Sequence, residues 1–401
     1  MRGNAALAVL LALIASLAAV SLAHADQAAD SLAVGATQVG GYGEMVLQAP
    51  EARREDGARS HLLPNADFLR AALEVRHRFS RELHVTLEME WEHGGAGAVR
   101  PDSVPGGAAR EGGEATVEYA VLEWSRSPRL SLHGGKLLVP SGFVNLAHEP
   151  DEFRGALRPD VETLVIPTTW SALGVGGSGH LPHGLVWTLD MLEGFDATGF
   201  SAAERFRDGR QDGAQALLTH PAFAARLDWR ACEGLVFGGS VVTGDAWQGE
   251  QPDSALHPRT WVNEAHAQVV RGGFELRALY ATALLWDHAA LSRALGVANT
   301  DAALGKRGFG GEIEASYDVR PLAWPHAAGS LRPYVRFELT DTQDGVGAIG
   351  TENPLYHRTN LTVGLEFSPA HGVVIKADRQ QRHHEDESGV SQWNVALGYG
   401  F

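Results

Sequence analysis

The residues able to do chemistry in this chain recur at every second position instead of gathering in one motif. Arg76 and Arg78, Glu88 and Glu90, Glu312 and Glu314, and Arg336 and Glu338 each stand two apart. That spacing puts both side chains on the same face of an extended strand. A face of this kind attracts or repels ions. It does not bring a nucleophile, a base and an orienting group together, as a Ser–His–acid hydrolase requires. No G-x-S-x-G stands on a strand–turn–helix pattern. His383-His384 with Glu385, Asp386 and Glu387 offers metal-binding types, but without tetrahedral spacing it reads as a solvated polar loop. The Gly-rich stretches 94–97 and 173–179 lack a following Lys-Ser/Thr or helix, so they are not phosphate loops. The residues therefore point away from an enzyme and call for no metal and no cofactor.

The elements that must carry these faces are bounded by composition. Of 401 residues, 44% are apolar and 20% charged, which excludes a disordered chain. The formal net charge of −16 argues against a nucleic-acid partner. The single cysteine, Cys232, excludes a disulfide framework and a cysteine zinc site. Arg2, the apolar run Ala5–Ala23 and Ala23-His24-Ala25 before Asp26 form the pattern of a secretory signal peptide, residues 1–25. The run is longer than usual, so an uncleaved anchor is the alternative. Residues 26–401 contain no apolar stretch long enough for a spanning helix.

Period two dominates residues 26–401. Trp393, Val395, Leu397, Tyr399 and Phe401 alternate with Gln392, Asn394, Ala396, Gly398 and Gly400. Similar alternation predicts about sixteen strands, near 39–49, 66–79, 83–93, 113–125, 130–139, 170–180, 184–194, 219–229, 234–243, 260–270, 273–286, 306–317, 331–341, 357–368, 372–383 and 392–401. Breaks at Val121-Leu122 and Gly134-Gly135 suggest bulges. Short and long links alternate, except for a medium link at 318–330 where a short turn is expected. An open sheet of this size would leave two edges that lipid cannot satisfy, so the strands must close. The reading is an all-β, closed antiparallel transmembrane barrel of about sixteen strands, with short periplasmic turns and long extracellular loops. An interior so wide is expected to hold water. A soluble propeller or sandwich is the alternative, but no fixed-length repeat is visible.

Several segments resemble outer-membrane porins of the phosphate-selective porin O/P superfamily, in its poorly characterised branch. They are Gly40-Gly41-Tyr42-Gly43-Glu44, the run Glu118 to Trp124, Gly135 to Gly142, His148-Glu149-Pro150, Arg158 to Thr163, and Ile166 to Trp170, with Phe401 as a terminal assembly signal. The resemblance spans most of residues 26–401. It implies a sixteen-strand barrel, a homotrimer, in the lipid of a Gram-negative outer membrane. The lysine clusters and arginine ladder of phosphate-selective members are missing. This chain has Lys136, Lys306 and Lys376 alone.

Alternation assigns an inward basic set of Arg70, Arg76, Arg78, Arg226, Arg277, Arg336 and Lys376, with Lys136 added if the Gly-Gly bulge turns it. The inward acids are more numerous and include Glu74, Glu88, Glu90, Glu118, Glu264, Glu275, Glu312, Glu338, Glu366 and Asp378. Taken alone, that wall favours cations. The longest link, 140–169, is the candidate constriction loop. It carries Glu149, Asp151, Glu152, Arg154, Arg158, Asp160 and Glu162. It is expected to lie against the wall, facing Arg70 and Arg336, with opposed charges that set a transverse field. The functional expectation is a passive porin for small hydrophilic solutes or ions, with anions such as phosphate as one class. The rivals are a substrate-specific channel, a plugged structural or adhesion barrel, and a barrel enzyme.

Overall fold

Sixteen antiparallel strands close into one barrel in the computed structural model, which describes residues 32–95, 113–249, 256–324 and 328–401. Residues 1–25, expected to be a signal peptide, and parts of the links at 94–112, 244–259 and 318–330 lie outside the described residues. The strands are β1 (Thr37–Pro50), β2 (Asn65–Arg78), β3 (Leu83–Glu92), β4 (Glu114–Ser127), β5 (Leu130–Leu138), β6 (Ser171–Leu181), β7 (Leu185–Glu193) and β8 (Pro221–Cys232). They continue with β9 (Leu235–Asp245), β10 (Arg259–Arg271), β11 (Phe274–Leu285), β12 (Arg307–Tyr317), β13 (Ser330–Asp344), β14 (His357–Ala370), β15 (Val373–His384) and β16 (Gln392–Gly400). Each strand pairs with its chain neighbours, and β1 pairs with β16. At that seam Phe401 N donates to Gly41 O at 2.9 Å and Gly41 N donates to Phe401 O at 3.2 Å. No edge is left for lipid to face.

Period two divides the wall as it does the sequence. Leu47, Val335, Phe337, Val363, Trp393 and Val395 stand exposed on the outside, while Gln380, Asn394 and Asp378 are buried inside. The medium link at 318–330 is organised by Asp318, whose carboxylate accepts Arg320 N and Leu331 N, each at 3.1 Å.

The bulges fall elsewhere than the sequence suggests. In β4 the register shifts between Glu88↔Tyr119 and Met89↔Val117, so Glu118 is the extra residue, upstream of Val121-Leu122. Gly134-Gly135 carries no shift; pairing runs unbroken from Ala120↔Lys136 to Ser125↔Ser131. A second shift, between Glu44 and Val46 on β1, lets Leu69 and Arg70 of β2 both turn inward.

The interior also departs from a water-filled tube. Inward residues on the upper halves of β6 to β11 are small or apolar: Ala172, Leu192, Ala222, Ala224, Val242, Val262, Ala281 and Ala283. They pack against loop residues Val161, Val165, Ile166, Phe195, Phe206 and Trp247 as one dry cluster. The Trp170 and Phe195 rings stack with centroids 4.7 Å apart. Each large apolar side chain withdrawn from water contributes ~1.5–3 kcal/mol. Loops that carry such side chains are therefore drawn into the barrel mouth.

Candidate functional site

The segment 139–170 leaves β5 and returns to β6 through a closed neck. Asn145 Nδ2 donates to Val139 O (2.7 Å) and Trp170 O (2.9 Å), and Asn145 Oδ1 accepts Trp170 N (2.6 Å). Beyond the neck the chain turns inward. A single π-helical turn, Val161–Val165, buries Val161, Leu164 and Val165. Glu162, on the same turn, accepts Phe143 N (2.7 Å) and Val144 N (2.8 Å), so its carboxylate ties the two limbs of the loop together.

The far wall holds this loop by charge-assisted bonds. Arg154 donates to Glu275 of β11 and to Glu366 of β14, each at 2.7 Å. Lys376 of β15, 0% exposed, donates to Phe153 O (2.6 Å) and Gly155 O (3.0 Å) and lies 3.8 Å over the Phe153 ring. Arg336, 1% exposed, bonds Glu314 and Glu338 and donates to Leu157 O at 3.2 Å. Arg277 donates to Glu152 O (2.8 Å) and Arg226 to Gly142 O (2.7 Å). Asp378 accepts Ala156 N (2.7 Å) and Glu338 accepts Asp160 N (2.6 Å). Asp160 accepts Asn360 Nδ2 at 2.7 Å. Bonds of this type are roughly twice as strong as neutral ones. Four expected pore-lining bases, Arg226, Arg277, Arg336 and Lys376, thus grip loop carbonyls.

The remaining basic residues go to different places. Arg76 pairs with Glu74 at 2.7 Å on the half of β2 nearer the short turns. Arg78 donates to Ser80 O and Arg81 O in the following turn and to Leu32 O in the segment before β1. Lys136 does not join the inward set. With no bulge at Gly134-Gly135 it stays on the outer face between Ala120 and Leu173, and its Nζ donates to Val117 O at 2.7 Å. Among the loop acids, Glu149 and Asp151 are half-buried and Glu152 is exposed. Burial raises the Glu149 carboxyl above its ordinary range.

On the β1–β3 side the loop leaves a cavity of about 220 Å³. Glu44, Arg70 and Glu92 face it from the wall, and Arg158, Thr168 and Arg207 from the loops. Arg70 lies 3.4 Å from both Glu44 and Glu90, shared between two carboxylates. Arg158 donates to His148 O at 3.3 Å and, among the described residues, has no ion-pair partner. Arg207 donates to Thr168 O. Burial, with the neighbouring Arg210 charge, lowers Arg207 to about 10, so it is cationic at neutral pH. The loop presents guanidinium groups, and the wall presents an excess of carboxylate. Arg336, which the loop is expected to face, is in direct contact with it.

Glu44, Glu92, Thr168 and Arg207 were not legible as site residues. Arg205, Arg207 and Arg210 sit in the link 194–220, which resembles any solvated rim loop in sequence. In the structure Arg205 donates to Gly305 O and Ala283 O, each at 2.7 Å, and fixes this link over β11 and β12. Arg210 donates to Pro167 O and Thr169 O, which clamps the second loop on the first. The rim histidines pair locally, His383 with Glu55 and His357 with Glu385. Among the described residues no group of three or more His, Cys, Asp or Glu stands close enough to hold a metal ion.

No protein-family model matches the chain. An uncharacterized protein of Aquifex aeolicus is 27% identical over 371 residues, 90% of this chain and 79% of that one. Solved structures share the fold at low identity. An anion-selective porin from Comamonas acidovorans aligns with TM-score 0.56 at 10% identity, covering 91% of this chain and 99% of that one. The outer membrane channel DcaP of Acinetobacter baumannii gives 0.54 at 11%, covering 91% and 97%. The trimer form of OmpT, an outer membrane protein of Vibrio cholerae, gives 0.50 at 10%, covering 92% and 100%. The architecture is that of outer-membrane porins.

Proposed function

We propose that this chain is an outer-membrane diffusion channel for small polar solutes and ions, with its path between loop 140–169 and the β1–β3 wall. The observation that carries the reading is the asymmetry of the loop. Most of its polar tethers reach β8 to β15, with His148 to Glu88 of β3 (3.4 Å) as the contact on the other side, where a cavity lined by Glu44, Arg70 and Arg158 remains. Loop 140–169 is then the constriction, and Arg70, Arg158 and Arg207, which line the remaining cavity, set ion preference there. Anion preference, phosphate included, belongs to the resemblance and to what these three arginines favour. Export by residues 1–25 and assembly as a homotrimer in outer-membrane lipid complete the reading. DcaP and the Comamonas porin are channels of this architecture, and their likeness supports it.

A second reading, a barrel plugged by its own loops, is favoured by the dry cluster in the mouth and by the burial of Asn394, Gln380 and Lys376. Planar-bilayer recording of the purified protein separates the two. Steady ohmic steps, grouped in threes for a trimer, are expected. Folded protein that passes no current would sink the channel reading.

A further inference from the structure

We infer that the cavity beside Arg158 is a binding site for a small zwitterion, a solute of amino-acid size that carries one carboxylate and one ammonium group. The inference rests on the proposed channel path and names the solute that the path would hold best.

Opposite charges face each other across this space. On the loop side Arg158 and Arg207 have no carboxylate partner among the described residues. Arg158 spends one bond on the His148 carbonyl, and its Nε has no partner. On the wall side a single Arg70 serves both Glu44 and Glu90, and Glu92 adds a further carboxylate. Glu44 is 1% exposed, yet neither of its oxygens has a hydrogen-bond partner. Thr168, also 1% exposed, lines the same cavity with its hydroxyl unpartnered. Buried polar atoms are normally satisfied, and these orphans, which belong to residues lining one cavity, are groups that a ligand there would partner.

The unsatisfied groups are of two kinds. Guanidinium forks and a hydroxyl suit a carboxylate. Glu44 accepts hydrogen bonds and suits an ammonium group. A simple anion would satisfy the loop side and be repelled by the wall side. A simple cation would do the reverse. One small molecule with both charges satisfies both without adding net charge. About 220 Å³ is the space of roughly seven water molecules, smaller than a drug-sized pocket. The size fits alanine or glycine better than a peptide.

The test compares three probes of similar size on the full-length purified protein: L-alanine, propionate and propylammonium. Calorimetric titration in detergent gives binding. Bilayer current in potassium chloride gives saturable block. Alanine is expected to bind and block at concentrations at least roughly tenfold below either of the others, the worth of one charge-assisted bond. Arg158→Gln and Glu44→Gln are each expected to remove that preference while the barrel stays folded by heat-modifiability on gels. Equal response to all three probes, or propionate as effective as alanine, overturns the zwitterion site and leaves the channel reading standing. Alanine binding without any current keeps the site and overturns the channel. No binding and no current by folded protein overturns both.

Discussion

Pro150, in the inward loop, packs against Gly398 on the opposite wall so closely that a Cβ at 398 would sit 2.5 Å from the proline Cβ. Only glycine lets the loop reach β16 at this point. Gly155 plays a similar part against Arg336, where a Cβ would meet Nη1 at 2.8 Å. Gly398→Val is expected to push the loop off β16 toward the space that remains, the cavity at β1–β3. Overpacking of this kind costs about 1–3 kcal/mol, so the barrel should still fold. Single-channel conductance should fall; an unchanged conductance from folded variant would contradict the loop position.

Arg154 bridges Glu275 and Glu366 from within the loop, and all three side chains are largely buried. Arg154→Ala removes the bridge and leaves both carboxylates without it. Breaking a buried pair costs ~3–5 kcal/mol. Thermal unfolding should move down, and open-channel current should become larger and noisier as the loop loosens. A variant with wild-type current and stability would show that the bridge does not hold the loop.

Arg70 and Lys136 should respond differently to mutation. Arg70→Ala leaves Glu44 and Glu90 uncompensated at the cavity, so the reversal potential in a salt gradient should shift toward cation preference. Lys136→Leu changes an outer-face residue and should leave that potential unmoved. A shift of similar size in both variants would mean that Lys136 reaches the lumen after all.

Val46 on β1, Ala396 on β16 and Ala156 in the loop pack in one small apolar cluster. In a Cys232→Ser background, Val46→Cys with Ala156→Cys should form a disulfide under mild oxidation, since such a bond requires Cα atoms within about 7 Å. Oxidation should leave conductance unchanged, because the bond fixes the loop where it already lies. Failure to cross-link, with both thiols reactive, would place the loop elsewhere.

Alternation, strict from Trp393 to Phe401 and interrupted in places elsewhere, marked the sixteen strands, because a membrane barrel must show opposite faces to lipid and lumen at every second residue. Alternation also gave the inward side of Arg70, Arg226, Arg277, Arg336 and Lys376. It could not give what those side chains meet. Inward is a property of one strand, whereas a tether such as Lys376 to Phe153 O joins residues far apart in the chain. Lys136 was misread because one residue of register decides a face, and a Gly-Gly pair alone does not shift the register.

The sequence by itself determined the barrel, its strand count and the length of the loop at 140–169. Local period, link length and the need to satisfy every backbone group in lipid suffice for these. Tertiary structure alone decided which wall residues tether the loop, that Arg205 and Arg210 fasten a second loop over it, and that Arg158 faces Glu44 across a cavity. These depend on distances between segments with no common period, and on apolar loop side chains finding a dry interior that the wall provides only once it is closed.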